Sequence, residues 1–458
     1  MTLYDAYGRE VDTGMLRGEQ AAPTMAGVRN IYSVMHPSIG LTPERLSGIL
    51  RQAEFGDPFL YLELAEEMEE KDLHYLAVLG TRKNAVSQLD LLVQAASSSA
   101  DDRRAADMVR EMIVEGPLQL DSVLFDVLDA VGKGFSATEI MWDTSGREWF
   151  PAELKWRDPR WFAFDWISGE EILVRTLKGE MIPVESDASL TRPTHFGGTG
   201  VYSSTGAAIG IQPMTAPLAP YKFITHFAKA KAGLPIRGGL ARAAGWAYLF
   251  KNYVLKDWIT FTEVFGQPLR VGKYHPGASE KDKQALLTAV TRIGSDAAAI
   301  MPESMVIEFT EAHQNGSSEL YQSFCEYLDA QVSKAVLGQT LTTEMPRSGG
   351  GSRAAAQVHE GVRRDILNAD GRRLAATLAR DLVRPIVELN MGPQKRYPKI
   401  ALGLPDDSDV KVFAETVAML VDRGLRIGQK TVLDKLGMAE AAQGEAVLSG
   451  IKETGKLK

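Results

Sequence analysis

The sequence predicts a predominantly helical α+β protein, on three observations. Apolar residues recur at three- and four-residue spacing from about 57 to 131 and again from 242 to 387. A central stretch to about 227 breaks into short aromatic and β-branched runs, and a small strand–helix–strand insert separates two long helices. At 458 residues, 45% apolar and 24% charged, the chain has material for roughly two to four domains. A formal charge of -8 argues against a surface that grips nucleic acid throughout, because that affinity comes from many Lys and Arg contacts to phosphate. Any DNA contact is therefore local or weak.

Residues 1–35 are polar, Gly-containing and aperiodic, the pattern of an arm that orders against a neighbour or stays mobile. From Asp57 to Leu92 the spacing of Leu60, Leu64, Met68, Leu76, Leu79 and Val86 predicts helix, with Glu66, Glu67, Glu69, Glu70 and Lys71 as a solvated face. Helices are expected again over Asp101–Glu115 and Leu118–Val131. Gly132-Lys133-Gly134 then turns the chain into a strand at Phe135–Trp142, and strand character continues through the aromatic run Trp156–Trp166 to Lys222–Phe227.

The most informative helix spans about Arg242–Phe265. Trp246, Phe250, Tyr253, Val254, Trp258, Phe261 and Phe265 give it a broad apolar face, and Lys251, Asn252, Lys256, Thr260 and Glu263 a narrower polar stripe. That stripe excludes a lipid-facing span, so neighbouring protein must cover the apolar face. Strands at Leu269–Tyr274 and Met305–Phe309 flank a helix at Ser279–Ile293. A second long helix follows at Ser318–Leu337, with Phe324, Leu328 and Val332 at helical spacing. Residues 338–352 are too rich in Gly, Ser and Thr for regular structure. A long helix from Arg353 to Val387 has Gly361, Gly371 and Pro385 as candidate bends, and helices at Asp407–Arg423 and Gln429–Leu436 close the chain.

Catalytic and metal-binding patterns have no foothold. Gly132-Lys133-Gly134-Phe135-Ser136 lacks the spacing of a phosphate loop and lies between helix and strand, the reverse of that motif. His359-Glu360 lacks a second histidine one turn on, and no Gly-x-Ser-x-Gly occurs. Histidines 36, 74, 195, 226, 275, 313 and 359 show no ligand spacing, which reads as packed or surface residues and no bound metal. Asp406, Asp407 and Asp409 precede a helix and suit its N-terminus. Cys325, the only cysteine, reads as a packed thiol, and the aromatics of 156–166 read as core. No catalytic residue and no cofactor is expected. No signal peptide or apolar run of membrane-spanning length is evident, which predicts a soluble protein without membrane contact.

Five phrases carry a resemblance: Asp72-Leu73-His74-Tyr75-Leu76-Ala77-Val78-Leu79-Gly80-Thr81-Arg82-Lys83; Gly132–Trp142; Asp158-Pro159-Arg160-Trp161-Phe162; Phe250-Lys251-Asn252-Tyr253 with Lys256-Asp257-Trp258; and Leu337-Gly338-Gln339-Thr340-Leu341-Thr342. In this order, with the helix, insert, helix, Gly-rich loop, long helix series, the chain resembles bacteriophage portal proteins of the Mu-like family. The resemblance implies a non-enzymatic ring of twelve copies around a DNA channel at one capsid vertex. Its parts would be an N-terminal arm (1–35), a wing (36–241 with the bent helix 353–400), stem helices (242–265 and 318–337), a clip (266–317), a tunnel loop (338–352) and a crown (401–458). The implied partners are other copies of itself, double-stranded DNA, the terminase large subunit, a head–tail adaptor and the major capsid or scaffold protein. The setting would be the virion, after assembly in the host cytoplasm. In the loop, Arg347, Ser348, Gly349, Gly350, Gly351, Ser352 and Arg353 would face DNA. Another head–tail connector or capsid assembly protein is the alternative.

Overall fold

The computed structural model describes residues 2–24, 29, 36–176, 201–202, 208–209, 215–266, 270–275, 277–292, 298–302, 318–340, 353–403, 407–425, 428 and 432, some at element ends by backbone alone. The chain divides into two units, 1–402 and 403–458. In the first, helices α1 (Pro43–Glu54), α2 (Phe59–Lys71) and α3 (Leu73–Ser87) lead into strand β1 (Leu91–Gln94), α4 (Ala100–Ile113), α5 (Leu120–Val127) and the short α6 (Ala130–Lys133). The periodicity from 57 to 92 predicts one helix. Asp72 divides it, because its side chain accepts from the amides of His74 and Tyr75 and so caps a new helix.

The predicted helix-to-strand turn is present: Gly134, at φ +104°, leads from α6 into β2 (Phe135–Asp143). Gly239 crosses this turn so closely that a Cβ on it would lie 2.5 Å from backbone atoms of residues 132–134. After β2 come β3 (Phe150–Arg157), β4 (Phe162–Phe164), β5 (Ile172–Arg175), β6 (Val201–Tyr202), β7 (Ala208–Ile209), β8 (Thr215–Pro217) and β9 (Phe223–Phe227). They form sheets ordered β3-β2-β9, β4-β5-β8 and β6-β7. Phe135, Phe162, Phe164 and Phe223 meet edge-to-face at centroid distances of 5.0 to 6.5 Å, joining the first two sheets through one core. Trp161 belongs to that core, whereas Trp156 and Trp166 are exposed.

Helix α7 (Ala241–Gly266) and helix α9 (Ser318–Leu337) bracket a βαβ unit: β10 (Arg270–Tyr274), α8 (Glu280–Arg292) and β11 (Ala298–Pro302), with the strands parallel. The second strand therefore falls at 298–302; the predicted strand at 305–309 lies outside the described residues. Helix α10 (Arg353–Leu378) runs unbroken through Gly361 and Gly371. At Gly371 the reason for glycine is close approach, since a Cβ would sit 3.2 Å from the Leu402 carbonyl oxygen. The irregularity is instead a π turn, Ala379–Val383, just before Pro385 in α11 (Arg384–Met391). The wider turn suits a proline that lacks an N–H and crowds the carbonyl four residues back. It also presents Asp381 and Arg380 to the outer edge of β9, where they bond the Thr225 amide (2.9 Å) and carbonyl (2.8 Å). Strand β12 (Lys399–Leu402) pairs antiparallel with β1, a pairing of distant segments that local pattern does not reveal. In the second unit, α12 (Asp407–Asp422) matches the predicted helix; the helix predicted over 429–436 lies outside the described residues apart from Val432.

Two expectations are corrected. Residues 2–24 form no free arm but a strap on the chain's own sheets, with Leu16 and Ala21 fully buried. The strap's backbone is held by buried charges: Glu139 accepts from the amides of Gln20 (2.5 Å) and Ala21 (3.1 Å), and Lys222 donates to the Leu16 carbonyl (3.0 Å). Nor is the acidic run of α2 a solvated face. Glu63 and Glu67 are buried and Glu66 and Glu69 half-buried; only Glu70 is exposed. Cations pair with them: Arg160 with Glu63 (2.9 Å) and Lys133 with Glu66 (2.5 Å) from other elements, and Lys71, at the end of α2 itself, with Glu67 (2.6 Å).

Asp129 joins this network through Lys133 (2.8 Å) and Lys83 (3.4 Å), whose charges outweigh its burial and hold its carboxyl below the ordinary range. Glu69 is the surplus acid, 3.9 Å from Lys83, and burial pushes its carboxyl from 4.5 up to about 6. A carboxyl raised in the folded state contributes stability below its unfolded pKa and loses it as pH rises through the folded value. Glu69→Gln is therefore expected to gain stability on the order of 1–2 kcal/mol at about pH 7.5 and nothing at about pH 4, as urea denaturation at the two pH values would show.

Candidate functional site

Helices α7 and α9 lie against each other along one seam. Val254, Trp258 and Phe261 of α7 are half-buried there, and Leu328 and Val332 of α9 are buried. Tyr321 stacks on Trp258 with centroids 6.3 Å apart and planes 9° apart, and meets Phe261 at 5.6 Å. At the inner end Lys251 bridges Asp329 (2.6 Å) and Asp72 (3.0 Å), and its ammonium is held above the ordinary lysine value because these carboxylates outweigh the effect of burial. The predicted polar stripe is thus partly an internal clamp. The hydroxyl of Tyr253 donates to the Leu41 carbonyl at 2.8 Å, and His74 and Ser333 bond at 2.7 Å, fixing the hairpin's base to the body.

Beyond that base the hairpin shows apolar surface on two sides. Phe250 and Tyr253 are 41% and 40% exposed, and Leu255 and Ile259 are 37% and 60% exposed. Phe250 and Ile259 are nine residues apart and so lie about 180° apart around the helix, with the seam to α9 between them. On α9, Leu320, Phe324 and Tyr327 are exposed as well, the last two stacked at 6.3 Å. Of the residues singled out in the sequence, Trp246 is half-buried, Phe250, Tyr253 and Phe324 are exposed, and the side chain of Phe265 lies outside the described residues. Leu255 and Ile259 were missed because they interrupt the polar stripe; that interruption was itself the available signal. Residues 347–352 lie outside the described residues, and Arg353 is described by its backbone alone, as the first residue of α10.

His226 and Cys325 have packing roles. His226 is buried against Thr377 (2.9 Å), and burial drives its imidazole down to about 4, so it is neutral near pH 7. Burial also raises the Cys325 thiol, the opposite of what activates a nucleophile. Among the described residues no group of His, Cys, Asp and Glu is placed to hold a metal ion, and no helix is long and apolar enough to cross a membrane.

The sequence profile of the portal protein of Mu bacteriophage matches residues 62–438. The chain is 37% identical over 420 residues to Mu-like prophage FluMu protein gp29 of Haemophilus influenzae, covering 90% of this chain and 74% of that one. It is 33% identical over 418 residues to the portal protein of Escherichia phage Mu, with the same coverage. Among solved structures, a chain from the virion of a native gene transfer agent particle aligns with a TM-score of 0.42 at 11% identity, over 87% of this chain and 95% of that one. The match over most of the chain, through the α7–α9 hairpin and α10, makes this protein a member of the Mu bacteriophage portal protein family.

Proposed function

We propose that this chain is the subunit of a closed ring, of twelve copies, that forms the DNA channel at one capsid vertex and through which the genome is packaged and ejected. The observation that carries the ring is the pair of exposed apolar flanks on α7. A ring closes by heterologous contacts, one surface of each copy meeting a different surface of the next, and that requires two distinct faces on each copy. Family membership supports the rest. In this reading α7 and α9 are the stem, residues 266–317 the clip, 338–352 the tunnel loop, 36–241 with 353–400 the wing, and 401–458 the crown, with the strap of residues 2–24 bound to the wing. The partners are DNA, the terminase large subunit, a head–tail adaptor and the capsid or scaffold protein, and the setting is the virion after assembly in the host cytoplasm. The role is structural, without catalysis.

The charge fits passage of DNA. Each phosphate contact adds salt-dependent affinity through released counterions, so a channel for sliding DNA carries few. Mass measurement of the purified assembly, with negative-stain images, tests the ring: a single closed species with a central hole is expected, and a monomer persisting at high concentration overturns it. Arg347 and Arg353 flank the Gly–Ser tip and are the residues proposed to touch DNA. Replacing both with alanine is expected to change packaged length or DNA retention, and unchanged values for both would remove them from the channel.

A further inference from the structure

The segment from Asp72 to Lys83 has a job that packing alone does not describe. Helix α3 reaches the hairpin at three points. Asp72 bonds Lys251, which holds Asp329 of α9; His74 bonds the fully buried Ser333; and Arg82 donates from Nη1 to the Val336 carbonyl in the last turn of α9, at 2.7 Å. The other arm of the same guanidinium, Nε, donates to Asp370 of α10, also at 2.7 Å. Asp370 is buried and takes a second bond from Arg373 at 3.2 Å. One planar side chain therefore ties together the two helices that the segment 341–352 connects. Gly338, at φ +71°, ends α9 so close to α10 that a Cβ there would lie 2.7 Å from Val362 and 2.9 Å from Ile366. Since α10 begins at Arg353, it extends nine residues, or about 13 Å, beyond this contact.

We infer that Arg82 is a positioning residue for the channel: by bonding Val336 and Asp370 at once, it sets the place on α10 where α9 ends, and so the base of the 341–352 connection. The inference rests on the reading of that connection as channel-lining; the bridge itself does not. The fork of arginine matters, because its donors diverge in a fixed plane and reach both acceptors, whereas a lysine offers one nitrogen. The guanidinium also bridges two negative groups, since the carbonyls closing α9 carry partial negative charge and Asp370 a full one, and its positive charge offsets both.

Spin labels at Lys334 and Arg363, exposed positions on α9 and α10, report the relation of the two helices in the full-length protein. The parent protein is expected to give one narrow distance distribution. Arg82→Ala and Arg82→Lys are expected to broaden or shift it. Val78→Ala, which opens a gap in the buried face of α3, is expected to lower the melting temperature while leaving the distribution narrow. An unchanged distribution in Arg82→Ala overturns the inference, and so does equal broadening in Val78→Ala, which would make the effect general loosening. Native mass measurement of the same samples reports ring formation separately, so failure of the ring reading and failure of the positioning role are told apart.

Discussion

Glu139→Ala is expected to lower the stability of the protein by about 3–5 kcal/mol, the range for removing one partner from a buried ionic cluster. Glu139 and Lys222 have no exposed surface, and Arg157 is nearly as buried. The carboxylate accepts from Arg157 Nε at 2.8 Å, lies 3.8 Å from Lys222 Nζ, and takes the amides of Gln20 and Ala21. Its loss would leave Lys222 without its counter-charge, Arg157 with Glu19 only, and two strap amides without an acceptor. Burial already pulls the Lys222 ammonium below the ordinary lysine value, and Glu139 is the main group opposing that shift. A lysine whose folded-state pKa lies below its unfolded one costs stability at low pH, and the cost fades as pH rises through the folded value. The deficit of Glu139→Ala should therefore narrow in alkaline solution. Urea denaturation across pH measures the deficit, and limited proteolysis should show faster cleavage within residues 2–24. A loss under about 1 kcal/mol would mean that the strap is held mainly by its buried apolar residues and its other hydrogen bonds, not by Glu139.

That cluster shows which parts of the molecule a sequence exposes. Helices α7 and α9 begin and end within one or two residues of the positions that their apolar spacing predicts, because a long amphipathic helix announces itself through near neighbours. The strap and the acidic run of α2 give no such signal. Glu139 lies 119 residues from Gln20, and Lys133 lies 67 from Glu66. A polar segment that buries a few scattered apolar residues, Val11, Leu16 and Ala21, under backbone-directed charges has the composition of a loose arm. A run of glutamates whose counter-ions arrive from other elements has the composition of a wet surface. The π turn before Pro385 was half-legible: the proline marked the place, but β9, whose edge the turn covers, comes from residues more than 150 positions away. In the candidate site, the seam between α7 and α9 was visible, whereas the second flank was hidden by the charged residues around Leu255 and Ile259.

The two flanks lead to the other large effect. Phe250→Asp and Ile259→Asp each place a charge in a contact that assembly would bury, at positions already 41% and 60% exposed, so the single subunit should fold as before. An apolar anchor of this kind contributes about 2–3 kcal/mol to an interface, so each change should weaken association on the order of 100-fold and leave either variant alone monomeric at concentrations where the proposed ring would assemble. Mixing the variants distinguishes how the copies meet. If one flank of each copy meets the other flank of the next, the intact Leu255–Ile259 side of one variant can still engage the intact Phe250–Tyr253 side of the other, and the complex stops at a mixed pair because both outer faces are spoiled. If instead each flank pairs with its own kind, each variant keeps one self-complementary face and forms pairs by itself, so mixing adds nothing. Native mass measurement of the separate and mixed samples resolves these outcomes. Like-with-like pairs would remove the closed ring from the proposed function, since only unlike faces propagate around an axis and return to their start.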